Sequence, residues 1–245
     1  MRIKITLEEI KGKEVVFPVH YNYIIQSFIY KNITPKLADF LHNRGFEFQK
    51  RRFKMFVFSR IFSDKIEFSR ENIIFGNIIY FYLSSPYNEF LSQFTEHILK
   101  KNEFKIYTNH LNIKEVYVMP APEFNKITKI KMISPLTVYS TLYKEEKRKT
   151  YYYSPFEKEF GVLIKENLGK KYEAFYKEKK KITFEIKPEK VNKNCEKIIL
   201  YKGTVVKGWL GIYNIYAEKE IIKFAYDTGL GAKNSQGFGM FEICM

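Results

Sequence analysis

The stretch MPAPEF, residues 119 to 124, constrains the fold most, because the chain reads the same way on either side of it. Two prolines in six residues break both helical and ladder hydrogen bonding, so the segment reads as a linker. Before it, MRIKITLEE alternates apolar and polar residues with the period of a strand. YNYIIQSFIYKNI spaces Ile24, Ile25, Phe28, Ile29 and Ile33 as a helix. TPKLADFLHNRG reads as a second short helix, with Thr34 as cap, Pro35 in the first turn and Gly45 at the end. Strands follow at KMFVFSRIF, KIEFS and NIIYFYLSS, then an amphipathic helix at YNEFLSQFTEHILKK and a strand at FKIYTNHLNIKEVYVMP. After the linker, NKITKIKMISP echoes the opening IKI. A strand at TVYS, the charged KEEKRK, a helix within SPFEKEFGVLIKENLGKKYEAF and strands near 181–187 and 197–213 come next. NIYAEKEIIKFAYDTG reads as a short helix and FGMFEIC as the last strand. Each half thus predicts β-α-β-β-α-β, an α+β chain of two tandem ferredoxin-like (RRM-like) domains, 1–119 and 125–245.

The charge narrows the partner. Lysine and arginine number 42 against 27 acidic residues, a net +15, in a chain that is 18% aromatic and 45% apolar. A folded, aromatic-rich, basic chain points to a polyanion, with nucleic acid ahead of membrane. A lysine-rich background composition would give the same balance, so charge alone leaves both open. The cysteines, Cys195 and Cys244, form no C-x-x-C pair, which fits a reducing cytoplasm. The N-terminal stretch is charged and lacks a signal-peptide core, and no apolar run approaches the length of a membrane span. The expectation is a cytoplasmic protein with no membrane partner.

The C-terminal GLGAKNSQGFG holds four of the chain's twelve glycines: Gly229, Gly231, Gly237 and Gly239. Glycine turns let backbone approach a ligand, and their N–H groups bind anions. Lys233 adds charge; Asn234 and Ser235 add hydrogen bonding. The spacing is neither a P-loop nor a dinucleotide fingerprint. A tight turn that needs glycine for its own geometry is the equal alternative.

This turn resembles the C-terminal glycine-rich signature of the CRISPR-associated RAMP proteins. RIKITLE is similar to their first strand, KMISPLTVY to the start of their second domain, and PVHYNYIIQSFIYKNITPKLADFLHNRGF to the first helical region of one branch. That branch, the Cas Six family, consists of endoribonucleases that process precursor CRISPR RNA. The resemblance spans nearly the whole chain. It implies RNA bound over both domains, with one cut per repeat, no metal and no cofactor, and 5′-hydroxyl and 2′,3′-cyclic phosphate products. It implies CRISPR repeat RNA as partner, and is compatible with other effector subunits or a second copy of the chain. A RAMP protein that binds repeat RNA without cutting is the alternative.

The chemistry asks for little. RNA carries its own nucleophile, the 2′-OH, so the protein must move protons and stabilise negative charge. Of His20, His42, His97 and His110, His42 falls at a helix C-terminus, where the dipole favours its protonated form. The resemblance implies a catalytic role for His42 and for Tyr30 in FIYKNI, without settling which is the base. It implies a lysine too. Within QKRRFKM, Lys50, Arg51, Arg52 and Lys54 compete, and Lys54 matches best by its flanks, with the remaining three as RNA contacts. The basic stretches at 144–149, 177–181 and 187–197 each read as a solvated face, though together with QKRR they could track phosphates; Tyr201 and Trp209 are candidates to stack bases, with strand core the preferred reading for both.

Overall fold

The computed structural model describes residues 1–144 and 147–244. Two antiparallel sheets dominate it. The first has the order Val57–Phe58, Ile78–Ser84, Arg2–Glu9, Asn109–Met119, Phe104–Ile106. Its central strand Arg2–Glu9 sets Ile3 opposite both Leu83 and Val118, so one face of three strands is apolar together. The second sheet has the order Phe184–Lys190, Ile212–Ala217, Ile127–Met132, Phe241–Ile243. If the long strand Asn109–Met119 counts with its short partner as one, both sheets run 4-1-3-2 within their own half. That is the ferredoxin-like order, realised twice.

Helices cover one face of each sheet. Helix α1 (Asn22–Lys31) buries Ile25, Phe28 and Ile29. Helix α2 (Pro35–Asp39) is capped by the Thr34 hydroxyl, which accepts from the Leu37 N–H at 3.3 Å. Helix α3 (Asn88–Leu99) buries Phe90, Leu91, Phe94 and Ile98, an i, i+1, i+4, i+8 stripe. Phe28 meets Phe81, Phe94 and Phe104 edge to face, so α1, α3 and the sheet share one aromatic joint. In the second half, α4 (Lys158–Tyr176) and α5 (Lys219–Thr228) pack Phe160, Ile164, Leu168, Ile221 and Phe224 against Ile130, Tyr213 and Ile215.

The halves interlock. Arg2, on the first strand, is buried and donates to the carbonyls of Tyr226 and Phe241 at 2.8 Å each, with its guanidinium 3.4 Å above the Tyr226 ring. The hairpin Phe46–Phe48/Arg51–Phe53 sends Phe46 onto Phe175 of α4, with 5.2 Å between ring centroids. Two further hairpins, Tyr139–Lys144/Lys147–Tyr152 and Glu196–Tyr201/Thr204–Trp209, project from the second half.

Several local expectations shift. NIYAEKEIIKFAYDTG divides into strand Ile212–Ala217 and α5, because Ile212, Tyr213 and Ile215 fill a sheet position before the helical spacing begins. KMFVFSRIF keeps only Val57–Phe58 as strand, after Met55 takes a left-handed φ of 55°. FKIYTNHLNIKEVYVMP is not one strand but bends at Tyr107, φ 60°, into two that pair, with His110 opposite Lys105. In KEEKRK, residues 145 and 146 lie outside the described residues. Among the described residues, no helix is long and apolar enough to cross a membrane.

Candidate active site and RNA interface

Helix α1 has two faces. Ile25 and Ile29 point into the core, which leaves Tyr23, Gln26, Ser27 and Tyr30 in a stripe along the opposite side. That stripe forms the floor of a cleft of about 630 Å³. His42 and Lys54 line the same cleft. The structure therefore brings together all three residues expected to carry the chemistry.

The route to His42 is local. After α2, the chain widens into one turn of π-type bonding over Phe40–Arg44, closed by the Gly45 N–H donating to the Phe40 carbonyl at 2.6 Å. This turn swings His42 out towards Tyr30, with ring centroids 6.5 Å apart and planes at 82°. His42 Nδ1 lies 2.7 Å from Asn43 Oδ1, and Asn43 Nδ2 donates to Asp39 Oδ1 at 2.6 Å. The Asp39 carboxylate accepts only, which turns the Asn43 amide so that its oxygen faces the ring. Nδ1 then carries the hydrogen and Nε2 is the open nitrogen.

Lys54 is half-buried beneath this turn, and its ammonium donates to the His42 carbonyl at 2.5 Å. Burial, aided by the charge of Arg52, pushes its pKa below that of an ordinary lysine. Burial, with a contribution from Tyr201, holds the Tyr30 phenol well above its ordinary value. Tyr30 therefore keeps its proton at neutral pH and can donate a hydrogen bond but not act as a base.

A second cleft of about 750 Å³ adjoins the first through Lys54, Ser235 and Gln236. Arg51, Arg52, Lys170 and Lys233 border it. Lys50 sits exposed at the tip of its hairpin. Arg52 also braces the histidine turn, donating to the Asn43 carbonyl at 2.6 Å. The basic stretch 177–181 is partly spent elsewhere, since Lys180 pairs with Glu218 and Glu220.

The glycines of the C-terminal segment have a packing reason of their own. All four glycines are buried, and the chain's own atoms stand where a Cβ would sit. At Gly237, φ 83°, that position is 2.5 Å from the Phe58 ring; at Gly239, φ 84°, it is 1.9 Å from the Leu230 carbonyl oxygen. Asn234, expected to face RNA, is consumed internally. Its Nδ2 donates to the Leu230 and Phe238 carbonyls, and its Oδ1 accepts from buried Lys171 at 3.2 Å. The Lys171 ammonium also donates to the Gly229 carbonyl at 2.5 Å, and burial alone lowers its pKa to about 7. Residues 231–236, including Gly231, Lys233 and Asn234, line the larger cleft, and Ser235 and Gln236 reach both clefts. Lys233 lies 5.3 Å over the Tyr139 ring, with its pKa lowered by burial.

The turn is tied back to α1. Asn22 Nδ2 donates to the Gln236 carbonyl at 2.8 Å, and Gln26 Nε2 to the Ser235 carbonyl at 2.7 Å. Sequence reasoning missed Asn22, Gln26 and Lys202. The polar stripe at 23, 26, 27 and 30 was readable from helical spacing, and Lys202-Gly203 between two β-rich runs is a hairpin signal. Trp209 is partly covered against the second core and Tyr201 is 8% exposed, so both pack as strand residues.

Comparison with known proteins bears on the fold and the family. The family model for the CRISPR-associated protein Cas6 N-terminal region matches residues 16–117, and that for the Cas6 C-terminal region matches residues 119–243. The CRISPR-associated endoribonuclease Cas6 1 of Methanocaldococcus jannaschii is 32% identical over 98% of this chain and 91% of its own. The CRISPR-associated endoribonuclease Cas6 of Pyrococcus furiosus is 29% identical over 99% of this chain and 90% of its own. A solved structure of a CRISPR-associated protein Cas6 superposes with a TM-score of 0.81 at 31% identity, covering 100% of this chain and 99% of the other. The chain, with its tandem ferredoxin-like halves and C-terminal glycine-rich turn, belongs to the Cas6 family.

Proposed function

We propose that this protein is an endoribonuclease that cuts CRISPR repeat RNA within precursor transcripts, by attack of the RNA's own 2′-OH and without a metal. One observation carries the reading: Tyr30, His42 and Lys54, separated in sequence, line a single cleft. Relatives named as endoribonucleases over nearly the full chain support it. In this reading, Nε2 of His42 takes the proton from the 2′-OH. Histidine suits that transfer near neutral pH. The oxygen then attacks the adjacent phosphorus, and the bond to the 5′-oxygen breaks. Lys54, acidified by burial, neutralises the charge gathering on the phosphoryl oxygens and supplies the proton to the leaving 5′-oxygen. Tyr30 donates a hydrogen bond that orients the phosphate. The products are a 2′,3′-cyclic phosphate and a 5′-hydroxyl.

Arg51, Arg52, Lys50, Lys233 and Ser235 would hold the flanking RNA along the basic cleft, with the transcript spanning two domains that divide between residues 119 and 125. The glycines would act by shaping the turn.

The experiment is cleavage of an end-labelled repeat RNA, from the array that the protein serves, with excess protein in EDTA. A second substrate carries a single 2′-deoxy nucleotide just upstream of the cut. A single cut in EDTA, blocked by the deoxy substitution, is the expected result. Tight binding without cutting would move the protein to the RNA-holding members of the RAMP group. A cut that survives the deoxy substitution would exclude 2′-OH attack.

A further inference from the structure

The catalytic cleft has a far wall that the proposed chemistry does not use, built by Tyr23 on α1 and by the tip of hairpin Glu196–Tyr201/Thr204–Trp209 from the other half. We propose that Tyr23 and Lys202 form a nucleotide subsite there: Tyr23 stacks one unpaired base next to the cut, and Lys202 faces that nucleotide's phosphate. The proposal rests on the RNA-cleaving reading of the cleft.

The wall is rigid. Lys202, φ 47°, and Gly203, φ 77°, form a two-residue turn of the kind that matches strand twist, so the tip has one geometry. Tyr201 anchors the tip. Its ring is buried with Val206 and Phe238, and its hydroxyl donates to Gln26 Oε1 on α1. Gln26 in turn donates to the Ser235 carbonyl of the glycine-rich turn. Tip, helix and turn therefore close a circuit around the cleft.

Tyr23 is held inside that circuit yet remains open. Tyr201 meets its ring edge-on, 6.0 Å away at 88°, and the Lys202 ammonium lies 4.3 Å over it. The ring is still 44% exposed, within the cleft. A fixed, part-open aromatic ring, with a lysine over it that is long enough to turn to a phosphate and free that face, suits an unpaired nucleotide, since every base offers a π-face and every phosphate a charge. Tyr23 and Tyr30 are seven residues apart on one helix face, about 10 Å along the axis. The stacked base therefore belongs to a nucleotide neighbouring the scissile phosphate and not to the reacting ribose. Tyr201, a strand-core residue, buttresses the ring that stacks.

The test uses the full-length protein and the repeat RNA, intact or with one abasic residue at each of three positions on either side of the cut. Affinity and single-turnover cleavage are measured for wild type, Tyr23→Ala, Tyr23→Phe and Lys202→Ala, each checked for an unchanged melting temperature. Tyr23→Ala is expected to weaken binding about 10-fold or more, Tyr23→Phe to stay within about 2-fold of wild type, and Lys202→Ala to flatten the salt dependence by about 0.7 in log–log slope. One abasic position should reproduce the Tyr23→Ala loss in wild type and add nothing to it in the variant. Wild-type affinity for Tyr23→Ala, or abasic losses that add to it at every position, would overturn the subsite. A wild type that binds without cutting would sink the cleavage reading alone, since the stacking comparison is then read in affinity. One that does not bind repeat RNA would overturn both.

Discussion

His42 shows how much a single side chain depends on its neighbours. Its ring is exposed, so packing does not aim it; the Asp39–Asn43 relay and the Lys54 bond to its carbonyl do. Replacing it with alanine removes an imidazole that the proposed mechanism uses for proton transfer, and no core contact. His42→Ala should slow single-turnover cleavage by about 10²–10⁴-fold while RNA affinity changes by less than about 3-fold. Equal loss of rate and affinity would show that the residue works through folding. Lys171 is the opposite case, a buried ammonium whose two partners are both neutral oxygens. Its folded-state pKa, about 7, lies below the ordinary 10.5. Between those values the unfolded chain binds the extra proton, so stability attributable to this group rises with pH; below about pH 7 both states are charged and the burial penalty stands in full. Relative to Lys171→Met, the wild type should gain about 2–3 kcal/mol between pH 7 and pH 9 in urea unfolding, at about 1.36 kcal/mol per pKa unit. Parallel stability curves for the two proteins would place the Lys171 amine in water.

The glycine-rich turn matters as an element for what it touches. It sits between α1, through Asn22 and Gln26, and α4, through Lys171. A side chain at Gly239 has nowhere to go, because the obstacle is a backbone carbonyl and the φ is left-handed. Gly239→Ala should cost at least about 3 kcal/mol in thermal or urea unfolding. At Gly203, equally left-handed but with nothing within 4 Å, alanine should cost only about 1–2 kcal/mol. Similar losses at both would mean that φ alone limits the turn. Sequence reasoning located this element, because glycine crowding is visible in one dimension. It left open whether ligand approach or tight packing explains the glycines, because the Leu230 carbonyl and Phe58 ring arrive from the fold. The same logic separates other readings. Thr34, Pro35 and Gly45 act within a few residues of themselves, so cap and stop were legible. Lys54 reaches His42 only after a hairpin doubles the chain back, and its flanking residues alone suggested it. Tyr23 could be placed on the polar face of its helix, but nothing in the sequence set it apart from the other eighteen tyrosines until the hairpin tip settled beside it.

At the scale of the molecule, the excess of positive charge has a place to act. Arg51, Arg52, Lys170 and Lys233 border a cleft that opens into the one lined by Tyr30, His42 and Lys54. The doubly substituted Arg51→Ala/Arg52→Ala protein should bind repeat RNA with a log K against log salt slope shallower by about 1–2, across sequences alike. An unchanged slope would place the phosphates elsewhere. Both clefts are walled by both halves. Tyr30, His42 and Lys54 belong to the first; Tyr201, Lys202, Ser235 and Gln236 belong to the second. The cleft is in effect a complex between two partners that share one chain, and the segment 119–124 sets their effective concentration, in the millimolar range for a short tether. Cutting that segment turns assembly of the site into a bimolecular event. A nicked protein should then lose activity on dilution while the intact chain keeps it, although every residue of the cleft is still present.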